Sequence, residues 1–226
     1  MSSSSWAVID INSAADSIQY LSDLDSNKYV DVLVQKDNSL FAIYQLVSGN
    51  IVSFQSTDLK IPMNGITRVY VTSLNADEYP DIVTISSTAI QLFKGAANSA
   101  YNSFKSITTT SDKVIVRDIN FDGVSDIFII NSNTLDMYIS DPNDINKDYN
   151  HISYNGNVKS IVFFDADGDC ITDLLILTND NKYNIYAINH DKTATAKQFS
   201  DIFTSFYTST FKSICEVIGV ADFDRN

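Results

Sequence analysis

Acidic residues in this chain recur in nine-residue clusters whose spacing suits a hard cation. The first cluster sets Asp23, Asp25, Asn27 and Asp31 at positions 1, 3, 5 and 9. The second has Ser73, Asn75, Asp77 and Asp81 there, the third Asp118, Asn120, Asp122 and Asp126, and the fourth Asp165, Asp167, Asp169 and Asp173. A fifth begins at Asp222 and Asp224 and reaches Asn226. In a tight loop, positions 1, 3 and 5 turn oxygen-bearing side chains inward, position 7 offers its backbone carbonyl, and position 9 closes the cage with a carboxylate. The expected ligands are therefore Asp23, Asp25, Asn27 and Asp31, Asp77 and Asp81, Asp118, Asn120, Asp122 and Asp126, and Asp165, Asp167, Asp169 and Asp173, with the carbonyls of Tyr29, Val124 and Ile171, and the expected cofactor is structural Ca²⁺. Carboxylates crowded in this way repel one another unless a cation neutralises them. Half of the chain's 28 acidic residues stand at the ligand positions of these clusters, so the net charge of −13 reads largely as ligand charge.

The copies are unequal. The third keeps Gly123 at position 6, where a sharp turn favours positive φ, and the fourth carries the most charge although Cys170 stands at that position. These two are expected to bind most tightly. The first has Lys28 at position 6, and the second, charged only at Asp77 and Asp81 among its ligand positions, is expected to bind weakly or not at all. An EF-hand is excluded because its loop closes with Glu at position 12, which here is Val34, Thr84, Ile129 or Ile176.

Each cluster needs strands to hold it. Apolar runs of strand character flank the clusters, for example 113–117 before the third and 127–130 after it. Polar turn residues follow, then a third strand such as 40–46 or 183–188 and a fourth such as 51–56. Segment 194–206 reads as a loop leading into a strand. Four antiparallel strands in about 45 to 50 residues make one propeller blade. The fold class is thus all-β, a β-propeller of four-stranded antiparallel blades, with repeats at about 17–60, 66–108, 112–155 and 158–208 and the start of a fifth at 213–226. A seven-bladed ring needs roughly 330 residues, so the 226 residues read as part of a larger propeller. A closed four-bladed ring, with 6–11 and 213–221 in one closing sheet, is the alternative.

The clusters resemble the FG-GAP or VCBS repeats of integrin-α-type propellers, in which such loops bind calcium. More narrowly, the stretch from Tyr20 through Asp23, Asp25, Asn27 and Asp31 to Val34, with the later Asp222 and Asp224, resembles the amino-terminal propeller of the T-cell immunomodulatory protein family. That resemblance implies a protein-interaction or adhesion module in a type I membrane or secreted glycoprotein, extracellular or membrane-anchored. This sequence shows no signal peptide, no transmembrane run and no N-x-S/T sequon. An accessory propeller of a larger secreted enzyme of phospholipase type, or a carbohydrate-binding propeller, stands as the alternative function.

A pI near 4.3 is the wrong sign for tracking a phosphate backbone, which excludes nucleic acid as the main partner. Catalysis is not expected. His151 and His190 both sit beside polar turn residues without a nucleophile motif, and an acidic loop discourages thiolate formation at Cys170. Cys170 and Cys215 allow at most one disulfide.

Overall fold

The computed structural model describes residues 15–49, 51–140, 149–189 and 196–210. The chain is all-β, and its described residues form four four-stranded antiparallel sheets, each a simple meander. The first sheet holds β1 (Ser17–Ser22), β2 (Asp31–Lys36), β3 (Ser39–Ser48) and β4 (Ile51–Pro62). The second holds β5 (Ile66–Thr72), β6 (Asp81–Ser86), β7 (Ala89–Ala96) and β8 (Ala100–Thr108). The third holds β9 (Val114–Arg117), β10 (Asp126–Ile130), β11 (Thr134–Ile139) and β12 (Asn150–Asn155). The fourth holds β13 (Val158–Phe164), β14 (Asp173–Thr178), β15 (Lys182–Ile188) and β16 (Phe203–Thr210). Every complete acidic cluster fills the loop between the first and second strands of its sheet. The expected fifth cluster and the segments 6–11 and 213–221 lie outside the described residues.

The chain divides into two compact units, Met1–Asp112 and Lys113–Asn226. In the first unit, Leu24 of the first loop and Leu33, Leu40, Ala42 and Tyr44 of the first sheet pack with Val69, Ile82 and Phe93 of the second. In the second unit, Ile119, Phe128, Leu135, Met137 and Ile139 pack with Ile161, Leu174 and Ile176. The two sets are equivalent by repeat position, since Leu33 and Phe128 both stand two residues after a position-9 Asp. Second strands buried on both faces read as continuous apolar runs, which is why 127–130 and 174–177 carry no polar alternation. Burial of these rows supplies the main stabilisation, on the order of 1.5–3 kcal/mol per large side chain.

One expectation is corrected. Between 194 and 206 the described chain holds a single helical turn, α1 (Phe199–Ile202), before β16 begins. Gln198 and Asp201 form a capping box around that turn, and Ile202 is buried. Among the described residues no helix is long and apolar enough to cross a membrane.

Candidate metal centre

The position-9 aspartates are the fixed points of the loops. All four are buried, Asp31, Asp81 and Asp126 to 0% exposure and Asp173 to 1%. In each, Oδ2 accepts the N–H of loop position 2, namely Leu24, Leu74, Ile119 or Ala166. In the first three sheets Oδ1 also accepts an N–H from the far end of the third strand: Gln45 at 2.8 Å, Gly95 at 2.7 Å and Ser140 at 2.8 Å. The Ser140 hydroxyl adds a third bond to Asp126. Each such carboxylate therefore brackets three pieces of backbone, a role that reading position 9 as a cage ligand alone did not anticipate.

Close packing serves the same bracket in the second sheet. A Cβ at Gly95 would lie 2.3 Å from the Pro80 carbonyl oxygen, so only glycine brings this N–H to Asp81. The fourth sheet differs. Leu174 pairs with Tyr186, whereas Ile127 pairs with Tyr138, so the second hairpin is one residue longer and the third-strand amide is out of step. Among the described residues Asp173 keeps the Ala166 bond alone.

Burial is the leading cause of the electrostatics at these aspartates. It pushes Asp126 up to about 8 and Asp81 up to about 6, against the bonds that favour the ionised form. Asp31 and Asp173 are raised by the same cause, with further elevation from neighbouring carboxylates.

A ladder of side-chain bonds shapes the rest of each loop. Position 1 accepts the N–H of position 6 in three loops: Lys28 to Asp23, Gly123 to Asp118, and Cys170 to Asp165. Position 5 accepts the N–H of position 7 at 2.8 Å in all four, at Tyr29, Tyr79, Val124 and Ile171. The bond seen at the expected carbonyl donors Tyr29, Val124 and Ile171 is thus made by their amides, which pins those peptides in the turn. Position 6 is left-handed at Lys28, Gly123 and Cys170, as the Gly123 argument anticipated. Position 4 is left-handed as well, at Ser26, Ala76, Phe121 and Gly168. Side chains other than glycine pay roughly 1–2 kcal/mol there, a strain the side-chain ladder offsets. In the second loop, position 6 is Glu78, which is not among the left-handed residues.

Position 3 separates the loops chemically. Where it is Asp, carboxylate oxygens converge: those of Asp23, Asp25 and Asp31 lie within 4.8 Å of one another, as do those of Asp165, Asp167 and Asp173. Where it is Asn, the amide turns onto position 5 instead. There the amide nitrogen donates, Asn75 to Asp77 at 2.6 Å and Asn120 to Asp122 at 2.7 Å. In the first loop the amide is at position 5, where Asn27 donates to Asp25 and to the Gln45 carbonyl. Asp169 joins the fourth loop through its bond from Ile171 but stands outside the converging trio.

These arrangements fit a hard cation unequally. The first and fourth loops fit by convergence of like charge, which a cation would relieve. The third fits by an orphan: Asp118 Oδ1 is buried without a hydrogen-bond partner, and a buried carboxylate oxygen left so is costly. The second has neither feature, since the Ser73 hydroxyl accepts from Ala76 and Asp77 is occupied by Asn75 and Tyr79.

Outside the loops, His151 Nε2 lies 3.2 Å from Asp136 Oδ1 and its ring stacks on Tyr138. The Ser153 hydroxyl donates a hydrogen bond to the same Asp136 oxygen. Cys170 is exposed, and His190 and Cys215 lie outside the described residues.

No protein-family model and no curated protein matches the chain. Among solved structures, it is similar to BBS1N in a crystal structure in complex with ARL6DN, soaked with lead, at 10% identity and a TM-score of 0.43, over 74% of this chain and 52% of that one. It is also similar to the Photorhabdus luminescens Tc holotoxin pore, at 14% identity and a TM-score of 0.33, over 90% of this chain and 12% of that one. The chain therefore spans about half or less of the length of these two solved chains.

Proposed function

We propose that this chain is a calcium-stabilised module of FG-GAP-type propeller blades that binds a protein partner and does no chemistry of its own. The observation that carries the calcium reading is the convergence of Asp165, Asp167 and Asp173 on one point, with Asp173 buried and bonded to a single amide. Calcium bound there would supply positive charge that lets three carboxylates share a small volume. Asp173 ties the start of β14 to loop position 2, while Asp165 holds the amides of Gly168 and Cys170. The chain's own bonds thus preshape the loop. Asp23, Asp25 and Asp31 do the same in the first sheet, and Asp118, Asp122 and Asp126 in the third.

A binding role follows from what the sheets leave outside. The loops cluster polar and acidic groups at strand ends, while His151 is committed to Asp136 and Tyr138. By its resemblance, the module belongs on an extracellular or membrane-anchored protein. Calorimetric titration with Ca²⁺ tests the reading: the expected result is saturable binding that Asp167→Asn reduces by one site. An unchanged stoichiometry in that variant, or no binding at all, overturns it.

A further inference from the structure

The second sheet carries a basic side chain at a place where the other three carry none. Ile82 pairs with Phe93 across β6 and β7, so one step on Lys94 stands opposite Asp81, on the same face of the sheet. The same step taken from Val32 and Ile43, from Ile127 and Tyr138, and from Leu174 and Tyr186 reaches Tyr44, Ile139 and Ala187. A lysine thus faces a position-9 aspartate only in the sheet whose loop holds the fewest acids at its ligand positions, Asp77 and Asp81.

Packing holds that lysine beside the loop. The Lys94 ammonium lies 3.7 Å from the centroid of the Phe104 ring, a contact that steadies a cation without neutralising it. The next residue, Gly95, gives its N–H to Asp81 and lies close against Pro80 of the loop. Lys94 is therefore carried on backbone that the Asp81 bracket fixes. Partial burial disfavours its charge while Asp81 and Asp77 favour it, and Lys94 in turn favours the ionised form of Asp81.

We propose that Lys94 is the second loop's own counter-ion, its ammonium serving Asp77 and Asp81 where calcium serves the carboxylates of the first and fourth loops. The inference rests on the calcium reading above and adds a residue that decides which loops need the metal. One ammonium suits two carboxylates that already accept hydrogen bonds from Leu74, Gly95, Asn75 and Tyr79, whereas Ca²⁺ asks for about six to eight oxygens. Being tethered, the ammonium is present at every calcium concentration and no chelator removes it. A Ca²⁺ entering this loop also meets like charge at Lys94. Tyr44, Ile139 and Ala187 present no such charge to their loops.

Amide hydrogen exchange of the full chain in EGTA, read by NMR, tests the assignment. Lys94→Met keeps the alkyl stem and removes the charge. It should speed exchange about three-fold at Leu74 and Tyr79, the amides that Asp81 and Asp77 hold, and leave residues 165–173 unchanged. Lys94→Arg should keep the parent rates. In an Asp77→Asn background Lys94→Met should have a smaller effect at Leu74, because one of the lysine's two partners is gone. Unaltered exchange in Lys94→Met, the same acceleration in Lys94→Arg, or an equal effect in both backgrounds overturns the proposal, since a lysine that merely packs on Phe104 is indifferent to Asp77. So do saturable Ca²⁺-induced shifts in residues 73–81 of the unaltered chain. Ca²⁺ shifts in the first and fourth loops report on the calcium reading by themselves, so the two readings fail distinguishably.

Discussion

The second and fourth loops share one nine-residue frame yet are held together by different means. In the second, Asp81 bonds both Leu74 and Gly95, and the Asn75 amide covers Asp77, so the protein satisfies its own carboxylates. In the fourth, Asp173 has one amide, and Asp165, Asp167 and Asp173 face one another. The difference turns on small changes: Ser or Asp at position 1, Asn or Asp at position 3, and one extra residue in the following hairpin. A self-satisfied loop is stable without metal and gains little from it. A loop of converging charge is weak alone and gains much.

The largest effect expected from this contrast is on metal-free stability. In excess EGTA, Asp81→Ala removes two buried backbone bonds and costs about 2–4 kcal/mol, whereas Asp173→Ala removes one and relieves repulsion, costing about 1 kcal/mol. Urea unfolding followed by intrinsic fluorescence measures both. In millimolar Ca²⁺ the gap narrows, because only Asp173→Ala also forfeits a cation. Equal costs in EGTA would show that the Gly95 bond contributes nothing.

Proton linkage sharpens the same comparison. Asp81 stands up at about 6 in the folded chain against an ordinary 3.8. Its proton therefore stabilises the fold below about pH 4, and that contribution is lost as pH rises from 4 through 6, because the unfolded chain releases the proton first. A loss on the order of 1–3 kcal/mol over this window is expected in EGTA. Asp126, held up at about 8, extends the decline toward neutral pH in the other unit. Asp81→Asn should flatten the slope between pH 4 and 6, and an unaltered slope would assign the linkage elsewhere.

Much of this contrast was legible in the residues and part of it was not. The nine-residue spacing located all four described loops, and the apolar runs at 127–130 and 183–188 fell on strands. The shortage of carboxylates in the second loop could be read directly from Ser73 and Asn75. The dual role of position 9 did not, because its second partners, Gln45, Gly95 and Ser140, arrive from a strand about fourteen residues away through hairpin register. The left-handed backbone at Ser26, Ala76 and Phe121 was equally hidden, since none of these residue types signals positive φ. Asn120 shows a related limit: as a ligand type it counts as an oxygen, but its amide nitrogen also donates to Asp122, a contact that only geometry shows.

Calcium itself comes next in size. If the fourth loop binds and the second does not, Ca²⁺ at 100 times its dissociation constant raises stability by about 2.7 kcal/mol per site. Asp167→Asn should remove one such increment and Asp77→Asn none, as read from melting curves with and without EGTA. Superimposed melts for the unaltered chain would leave the acidic loops as ordinary turns.

The smallest change asks whether position 3 is the determinant. Asn75→Asp removes the amide that covers Asp77, and Ser73→Asp restores the position-1 carboxylate, so the double variant gives the second loop the acid set of a converging site. Without metal it should lose up to about 1 kcal/mol, since carboxylates now oppose one another where an amide had paired with one. With Ca²⁺ it should gain one site by calorimetric titration. Glu78 at position 6 limits the gain, because its backbone does not take the left-handed turn found at Lys28, Gly123 and Cys170. Adding Glu78→Gly to the pair should therefore tighten the new site further. A triple variant that binds no more calcium than the parent would show that hairpin register, rather than the residue at position 3, divides the loops.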